Sequence, residues 1–261
     1  MDLATSIAGK RVVITGACGV IGGWLVETFR GAGARLCLTD ADQTGLARLA
    51  ATLPEGSFAE PADLRDAASV EALVANIGAR WGGADVLVNN AGIYPSGFLL
   101  DIDAEEWDRI FDINLRAPFL LTRGVARQMI AAGVKGNVIN ISSGAARKMR
   151  RSVVPYCTSK TALDRLTKGF ALELAEYGIR VNALEPGFAA GSTASPLTDA
   201  HVQATTAGIP LGRASSPDDV GHAVLFLASD AAAYVTGASL SVDGGNSIGS
   251  LVVHQEKKSA L

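Results

Sequence analysis

The chain has 261 residues, of which 48% are hydrophobic, 19% charged and 6% aromatic, the composition of a globular protein with a sizeable core. A net charge of −3 excludes the strong basic excess of a nucleic-acid binder, and no apolar run approaches the roughly 20 residues of a membrane helix. Three scattered cysteines and three scattered histidines form no metal-ligand pattern. They fit a reducing compartment, and with no secretory pattern in MDLATSIAGKR the expected location is the cytoplasm.

Short β-branched runs alternate with longer helical patterns along the chain. The expected strands are Arg11–Thr15, Arg35–Asp40, Gly56–Ala62, Asp85–Asn89, Asn137–Ser142, Arg180–Glu185 and Ser239–Asp243. Between them, Val70, Leu73, Val74 and Ile77 repeat at helical spacing, as do Leu163, Leu166, Phe170 and Leu174. This alternation predicts an α/β fold: one domain built on a doubly wound, Rossmann-type parallel sheet of about seven strands, with helices on both faces. The stretch Ala189–Ala207, running on to Ile209-Pro210, is rich in Ser, Thr, Gly and Pro and reads as a mobile insertion over the sheet. After Gly245, the tail carries Leu251-Val252-Val253 and then Glu256-Lys257-Lys258. It either frames a subunit contact or frays.

The first strand runs into Thr15-Gly16-Ala17-Cys18-Gly19-Val20-Ile21-Gly22, followed by a helical pattern. Glycines at 16, 19 and 22 allow a tight turn and close approach of the backbone to a pyrophosphate, which the N–H groups of the helix start would bind. Asp40 closes the second strand at the distance where a carboxylate accepts from the adenosine ribose hydroxyls and repels a 2′-phosphate. No Arg or Lys lies between Gly16 and Gly23 or directly after Asp40, so the expected cofactor is NAD rather than NADP. Asp40 could also cap the following helix, and the two roles are compatible.

Further on, Tyr156 and Lys160 stand one helical turn apart at the start of a helical stretch. A fixed ammonium near a phenol favours the phenolate and brings its pKa from about 10 toward the range of a general acid–base. Taken alone, such a pair is commonplace on a helix surface. The strand before it ends in Ser142-Ser143, at the carboxyl edge where doubly wound sheets bind ligands. A hydroxyl there either binds the substrate oxygen or serves as a turn serine.

Taken together, Thr15–Gly22, Asn89-Asn90-Ala91-Gly92, Ser143, Tyr156 with Lys160, and Pro186-Gly187 make the chain from Gly9 to Gly245 resemble the short-chain dehydrogenase/reductase family. The run from Pro210-Leu211-Gly212-Arg213 to Val242-Asp243-Gly244-Gly245 is similar to family members as well. The resemblance implies an oxidoreductase passing hydride between a nicotinamide and a secondary alcohol or ketone: a sugar, polyol, hydroxy acid or similar small molecule. Tyr156 would exchange the substrate proton, Lys160 would lower its pKa and hold the nicotinamide ribose, Ser143 would orient the substrate, and Asn114 would anchor a water and proton relay. Gly16, Gly19, Ile21, Gly22 and Asp40 would hold the dinucleotide. Asp63 and Leu64 would contact adenine, while Asn90, Ala91 and Gly92 would line the cleft beside Pro186 and Gly187. A 3-oxoacyl-carrier-protein-type reductase is the competing enzyme reading, and Asp40 counts against its usual NADPH. A cofactor-sensing scaffold is the non-enzyme reading, against which the intact catalytic set argues.

Two departures from the family pattern stand out. The glycine loop has Val20 where compact members usually have a glycine, giving the GxxGxxG spacing of the longer-chain branch. Pro186-Gly187-Phe188-Ala189-Ala190-Gly191 lacks the usual following Thr, and Ser192 and Thr193 are the candidates to replace it. Between Ser143 and Tyr156 the segment Arg147-Lys148-Met149-Arg150-Arg151 concentrates four cations at what would be the active-site mouth. Arg147 and Arg150 are therefore candidates for attracting an anionic substrate, and a solvated loop or a contact with an acidic partner subunit is the alternative. The stretch Thr158–Tyr177 and the region 212–245 resemble those through which family members pair, so a homodimer or homotetramer is expected.

Overall fold

A computed structural model describes residues 3–191, 198–249 and 251. Seven parallel strands form one sheet in the order β3-β2-β1-β4-β5-β6-β7. They are β1 (Arg11–Thr15), β2 (Arg35–Thr39), β3 (Phe58–Ala59), β4 (Val86–Asn89), β5 (Asn137–Ile141), β6 (Arg180–Pro186) and β7 (Ser239–Val242). The expected Gly56–Ala62 strand shrinks to two residues at the sheet edge, where β3 has only β2 to pair with. Successive strand residues serve opposite faces. Val12, Ile14, Leu36, Leu38, Val88 and Ile139 join one apolar cluster, while Val13, Cys37, Leu87, Val138 and Val181 join another. A parallel sheet covered on both sides needs such a continuous apolar run.

Helices α1 (Val20–Gly31) and α8 (Pro217–Ala228) cover the first face. Helices α3 (Ala67–Trp81), α5 (Ala117–Ala131) and α6 (Val154–Leu174) cover the second. Between these come α2 (Gln43–Ala50), α4 (Ala104–Phe111) and α7 (Asp199–Ala207). The expected mobile insertion thus holds a helix, α7, whose Thr198 caps it by accepting from the His201 N–H at 3.2 Å. Ser192 and Thr193 lie outside the described residues, as does the tail beyond Leu251 with Val252, Val253, Glu256, Lys257 and Lys258.

The chain switches direction between β1 and β4: the units β1–β3 spread to one side and β4–β7 to the other. The crevice at that switch, beyond the carboxyl ends of the strands, is where such a sheet binds ligands. One irregularity lies close by. Residues Asp112–Arg116 form a π-helical turn that joins α4 to α5 without a break, and such turns concentrate at functional sites.

Candidate active site

The glycine loop is built by close packing. Gly16 has φ +63, and a Cβ there would meet the Ala91 Cα at 2.7 Å. A Cβ on Gly22 would meet the Gly16 carbonyl oxygen at 2.0 Å, so no other residue fits without moving the loop. At Gly19 the nearest such atom is 3.5 Å away, and this exposed glycine presents its open face at the start of α1. No side chain caps α1, which leaves the first N–H groups facing the crevice. Ile21 is half-buried against the apolar cluster under the loop.

The segment after β4 holds the loop from the other side. Thr15 Oγ1 accepts from the Asn90 N–H at 3.0 Å and the Ala91 N–H at 2.9 Å. Asn90 Nδ2 donates to the carbonyls of Thr15 at 2.9 Å and Gly16 at 3.0 Å. Asp40 Oδ2 accepts from the Cys18 N–H at 2.9 Å, which ties the tip of β2 to the altered part of the loop. Its Oδ1 accepts from Asp42 N at 3.0 Å. Asp42, and not Asp40, caps α2, accepting from Gly45 N at 3.0 Å. A carboxylate has about four acceptor sites, so Asp40 retains capacity for ribose hydroxyls. A cradle that only glycine fits, free N–H groups and a carboxylate with spare acceptors suit a dinucleotide. Asp63 is placed less simply: its carboxylate is paired with Arg65 at 2.6 Å, and Leu64 packs on the core.

The second half of the site lies across the crevice. Ser143 caps the short turn Gly144–Ala146, accepting from Ala145 N at 3.1 Å. Its hydroxyl acts on the Tyr156 phenol, favouring the ionised form, whereas Ser142 is buried. Tyr156 opens α6, and Lys160 follows one turn later with Nζ 5.8 Å from the Tyr156 ring centroid. Lys160 is buried and donates to the Ile141 carbonyl at 2.8 Å. A Cβ on Gly92 would lie 3.4 Å from both Lys160 Nζ and Asn114 Oδ1, so the strip 90–93 passes against both side chains. Asn114 is fully buried in the π-helical turn. It accepts from Ile93 N at 2.9 Å and donates to the Ile93 carbonyl at 3.0 Å and to Ser159 Oγ at 3.1 Å. The wider turn rotates this amide inward, and helical periodicity could not anticipate that. Pro186 is buried at the end of β6, and a Cβ on Gly187 would strike the Asp243 Cα at 2.7 Å.

The expected acidification of Tyr156 does not appear. Burial pushes the phenol up to about 12, outweighing the influence of the Ser143 hydroxyl and the charge of Arg150, which act the other way. Burial likewise pushes Lys160 down to about 8, against an upward pull from Asp164. The physical reason is the turn of the ammonium toward the Ile141 carbonyl, in a pocket that desolvates both groups. A neutral Tyr156 is a ready proton donor.

The structure also redirects Arg147. Its Nε donates to Glu185 Oε2 at 2.6 Å and its Nη2 to the Ser239 carbonyl at 3.3 Å, so this guanidinium is committed to β6 and β7 rather than to a substrate. Glu185 is fully buried, and Ser241 Oγ donates to the same oxygen. Asp164, one turn beyond Lys160, faces this carboxylate. Burial pushes it up to about 6; Glu185 adds to the rise, while Ser142 and Ser239 oppose it. An acid raised in the folded state stabilises the fold fully below its unfolded pKa, about 3.9, and loses that contribution as pH rises through about 6. D164N should therefore gain thermal stability relative to wild type between pH 4 and pH 6, read as the difference in Tm. A difference that stays constant over that window would contradict the assignment. Neither Glu185 nor Asp164 belongs to a recognisable motif. Tyr94, whose ring meets Tyr156 edge-on with centroids 4.6 Å apart, was equally unmarked in the sequence beyond its place after Gly92.

Among the described residues no cluster of three His, Cys, Asp or Glu side chains could hold a metal ion, and no helix is long and apolar enough to cross a membrane. A family model described as enoyl-(acyl carrier protein) reductase matches residues 16–247. The chain is 34% identical over 249 residues to galactitol 2-dehydrogenase of Agrobacterium fabrum, covering 91% of this chain and 97% of that protein. It is 35% identical over 259 residues to 2,3-dihydro-2,3-dihydroxybenzoate dehydrogenase of Bacillus subtilis, covering 94% and 99%. Among solved structures, a candidate NAD(P)-dependent gluconate 5-dehydrogenase of Beutenbergia cavernae, with NADP bound at low occupancy, superposes with a TM-score of 0.86 at 34% identity over 94% of this chain and 100% of that one. A glycine cradle at the sheet's switch point, a Ser–Tyr–Lys set across the crevice and these full-length likenesses agree: the chain belongs to the short-chain dehydrogenase/reductase family of oxidoreductases.

Proposed function

We propose that the protein is an NAD-linked dehydrogenase or reductase of small secondary alcohols and ketones, with Tyr156 as its proton-transfer residue. The observation that carries this reading is the buried Lys160 with its Nζ 5.8 Å from the Tyr156 ring centroid, beside Ser143 and opposite the glycine cradle. When bound, the nicotinamide supplies the hydride acceptor or donor. In reduction, Ser143 holds the ketone oxygen and the neutral Tyr156 protonates it. In oxidation, Tyr156 must first lose its proton, which its raised pKa opposes, so alcohol oxidation gains more from alkaline pH than ketone reduction does. Lys160, whose Nζ lies beside the strip at Gly92, would hold the nicotinamide ribose, and Asn114 keeps the strip 90–93 seated against it. Relatives that act on polyols and on a ring diol acid support a small hydroxylated substrate. The exposed Leu172 on α6 and the fully exposed Tyr234 support pairing through these regions as a homodimer or homotetramer.

The cofactor preference rests on Asp40, and one observation favours the alternative. Arg48 on α2 lies within electrostatic reach of Cys18 at the loop, a cation that sequence order did not place there. Asp40 is itself bound to that loop, accepting from the Cys18 N–H, so NAD should be used at least tenfold more efficiently than NADP, about 1.4 kcal/mol. The reading is tested by screening polyols, sugars and hydroxy acids with both dinucleotides while following nicotinamide reduction. A preference for NADP that persists across substrates would reverse the assignment and favour the 3-oxoacyl-carrier-protein-type reading, a class represented among the relatives by the Rickettsia conorii enzyme, 34% identical.

A further inference from the structure

The four cations between Ser143 and Tyr156 have four different fates. Arg147 is clamped to Glu185. Lys148 donates to the Asn246 carbonyl and to its Oδ1 at 3.2 Å. Arg151 stacks over the Phe98 ring, 5.2 Å from its centroid. Arg150 alone of the four has no acid, carbonyl or ring as a side-chain partner among the described residues, and its charge acts on Tyr156.

The backbone around Arg150 is held in a strained shape. Ser152 has φ 66, the one left-handed non-glycine residue among the described residues. Such a conformation is unfavourable for a residue that carries a Cβ and persists where its surroundings fix it. Here the Ser152 carbonyl accepts from Gly97 N at 2.7 Å, and Arg151 rests on Phe98 one residue along. These two contacts join the basic segment to the segment carrying Tyr94. One clasp therefore sets the segment of the unpaired Arg150, whose charge acts on Tyr156, beside the segment of the half-exposed Tyr94, whose ring meets that phenol.

We propose that Arg150 and Tyr94 form a substrate subsite that selects a hydroxy or oxo carboxylic acid, Arg150 pairing with the carboxylate and the Tyr94 ring covering the carbon skeleton. A guanidinium presents paired N–H donors that match a carboxylate in two-point contact, and a crevice behind a protein wall strengthens that attraction. The strain at Ser152 would then serve to keep Arg150 over Tyr156 and away from solvent. This inference rests on Tyr156 as the proton-transfer residue, and its test separates the two claims.

The experiment compares gluconate with glucitol, and 3-hydroxycyclohexanecarboxylate with cyclohexanol, in wild type, R150A and R150K at fixed low ionic strength. The readout is the acid-to-neutral ratio of kcat/KM, because any effect of Arg150 on the Tyr156 proton acts on both members of a pair. Wild type should favour the acid of at least one pair by tenfold or more, R150A should abolish that ratio, and R150K should restore part of it. In parallel, benzoate and benzyl alcohol are titrated into each protein with NADH present, following thermal stability. Benzoate should stabilise wild type and not R150A, and benzyl alcohol should stabilise neither. Equal losses for acid and neutral substrates in R150A, or benzoate binding that survives it, would overturn the subsite. If no compound is turned over, the benzoate titration still decides the subsite, while the oxidoreductase reading fails separately. Y94A should weaken benzoate binding without removing it; unchanged binding would refute the role given to Tyr94.

Discussion

Replacing Tyr156 with Phe should lower kcat by about 10²–10⁴-fold, the usual contribution of a positioned general acid–base, while dinucleotide affinity stays nearly unchanged. The substitution removes one hydroxyl and keeps the ring, so the edge-on contact with Tyr94 and the spacing to Lys160 survive. Only the hydroxyl and its transferable proton are lost. The check is to measure steady-state rates alongside NADH binding by fluorescence. Near-normal turnover in Y156F would refute the role, and lost NADH binding would point instead to a structural collapse of the crevice. The pH profile adds a second reading. In wild type, oxidation should climb with pH because burial keeps the phenol protonated near neutrality, and the residual rate of Y156F should lack that climb.

Arg147→Ala should act on stability rather than on specificity. It leaves Glu185, which has no exposed surface, with Ser241 as its remaining partner on Oε2 and Asp164 as a neighbouring acid. Breaking a buried ion pair from one side costs about 3–5 kcal/mol. The Arg147 side chain is 42% exposed, so water screens part of the interaction and a loss of about 2–3 kcal/mol is expected. Chemical denaturation should show a lower midpoint at unchanged slope. Pairing the change with E185Q should recover most of the loss; additive losses in the double variant would show that the two side chains are not coupled. The acid-to-neutral ratio proposed for Arg150 should survive in R147A, which separates two arginines only three positions apart.

Much of the fold was legible because it depends on short-range regularities. Six of the seven strands lie where β-branched runs predict them, to within a residue at each end, since a sheet covered on both faces is built from largely apolar runs. The expected Gly56–Ala62 strand fell short because only Phe58 and Ala59 pair with β2. In the site, the glycines at 16 and 22 could be read from the sequence because no side chain fits their places. Tyr156 and Lys160 could be read because a helix fixes their spacing.

What the sequence determined by itself was therefore the order of elements, the cradle and the identity of the reacting side chains, each set by residue type and local spacing. Tertiary structure alone decided how those side chains are charged and where the long ones point. Desolvation depends on everything packed around a group, so no local pattern could say that Tyr156 would be raised or Lys160 lowered. Nor could it turn Arg147 to a glutamate 38 residues away while leaving Arg150 without an acid, carbonyl or ring partner among the described residues, because a side chain's partner is whatever the fold places within its reach.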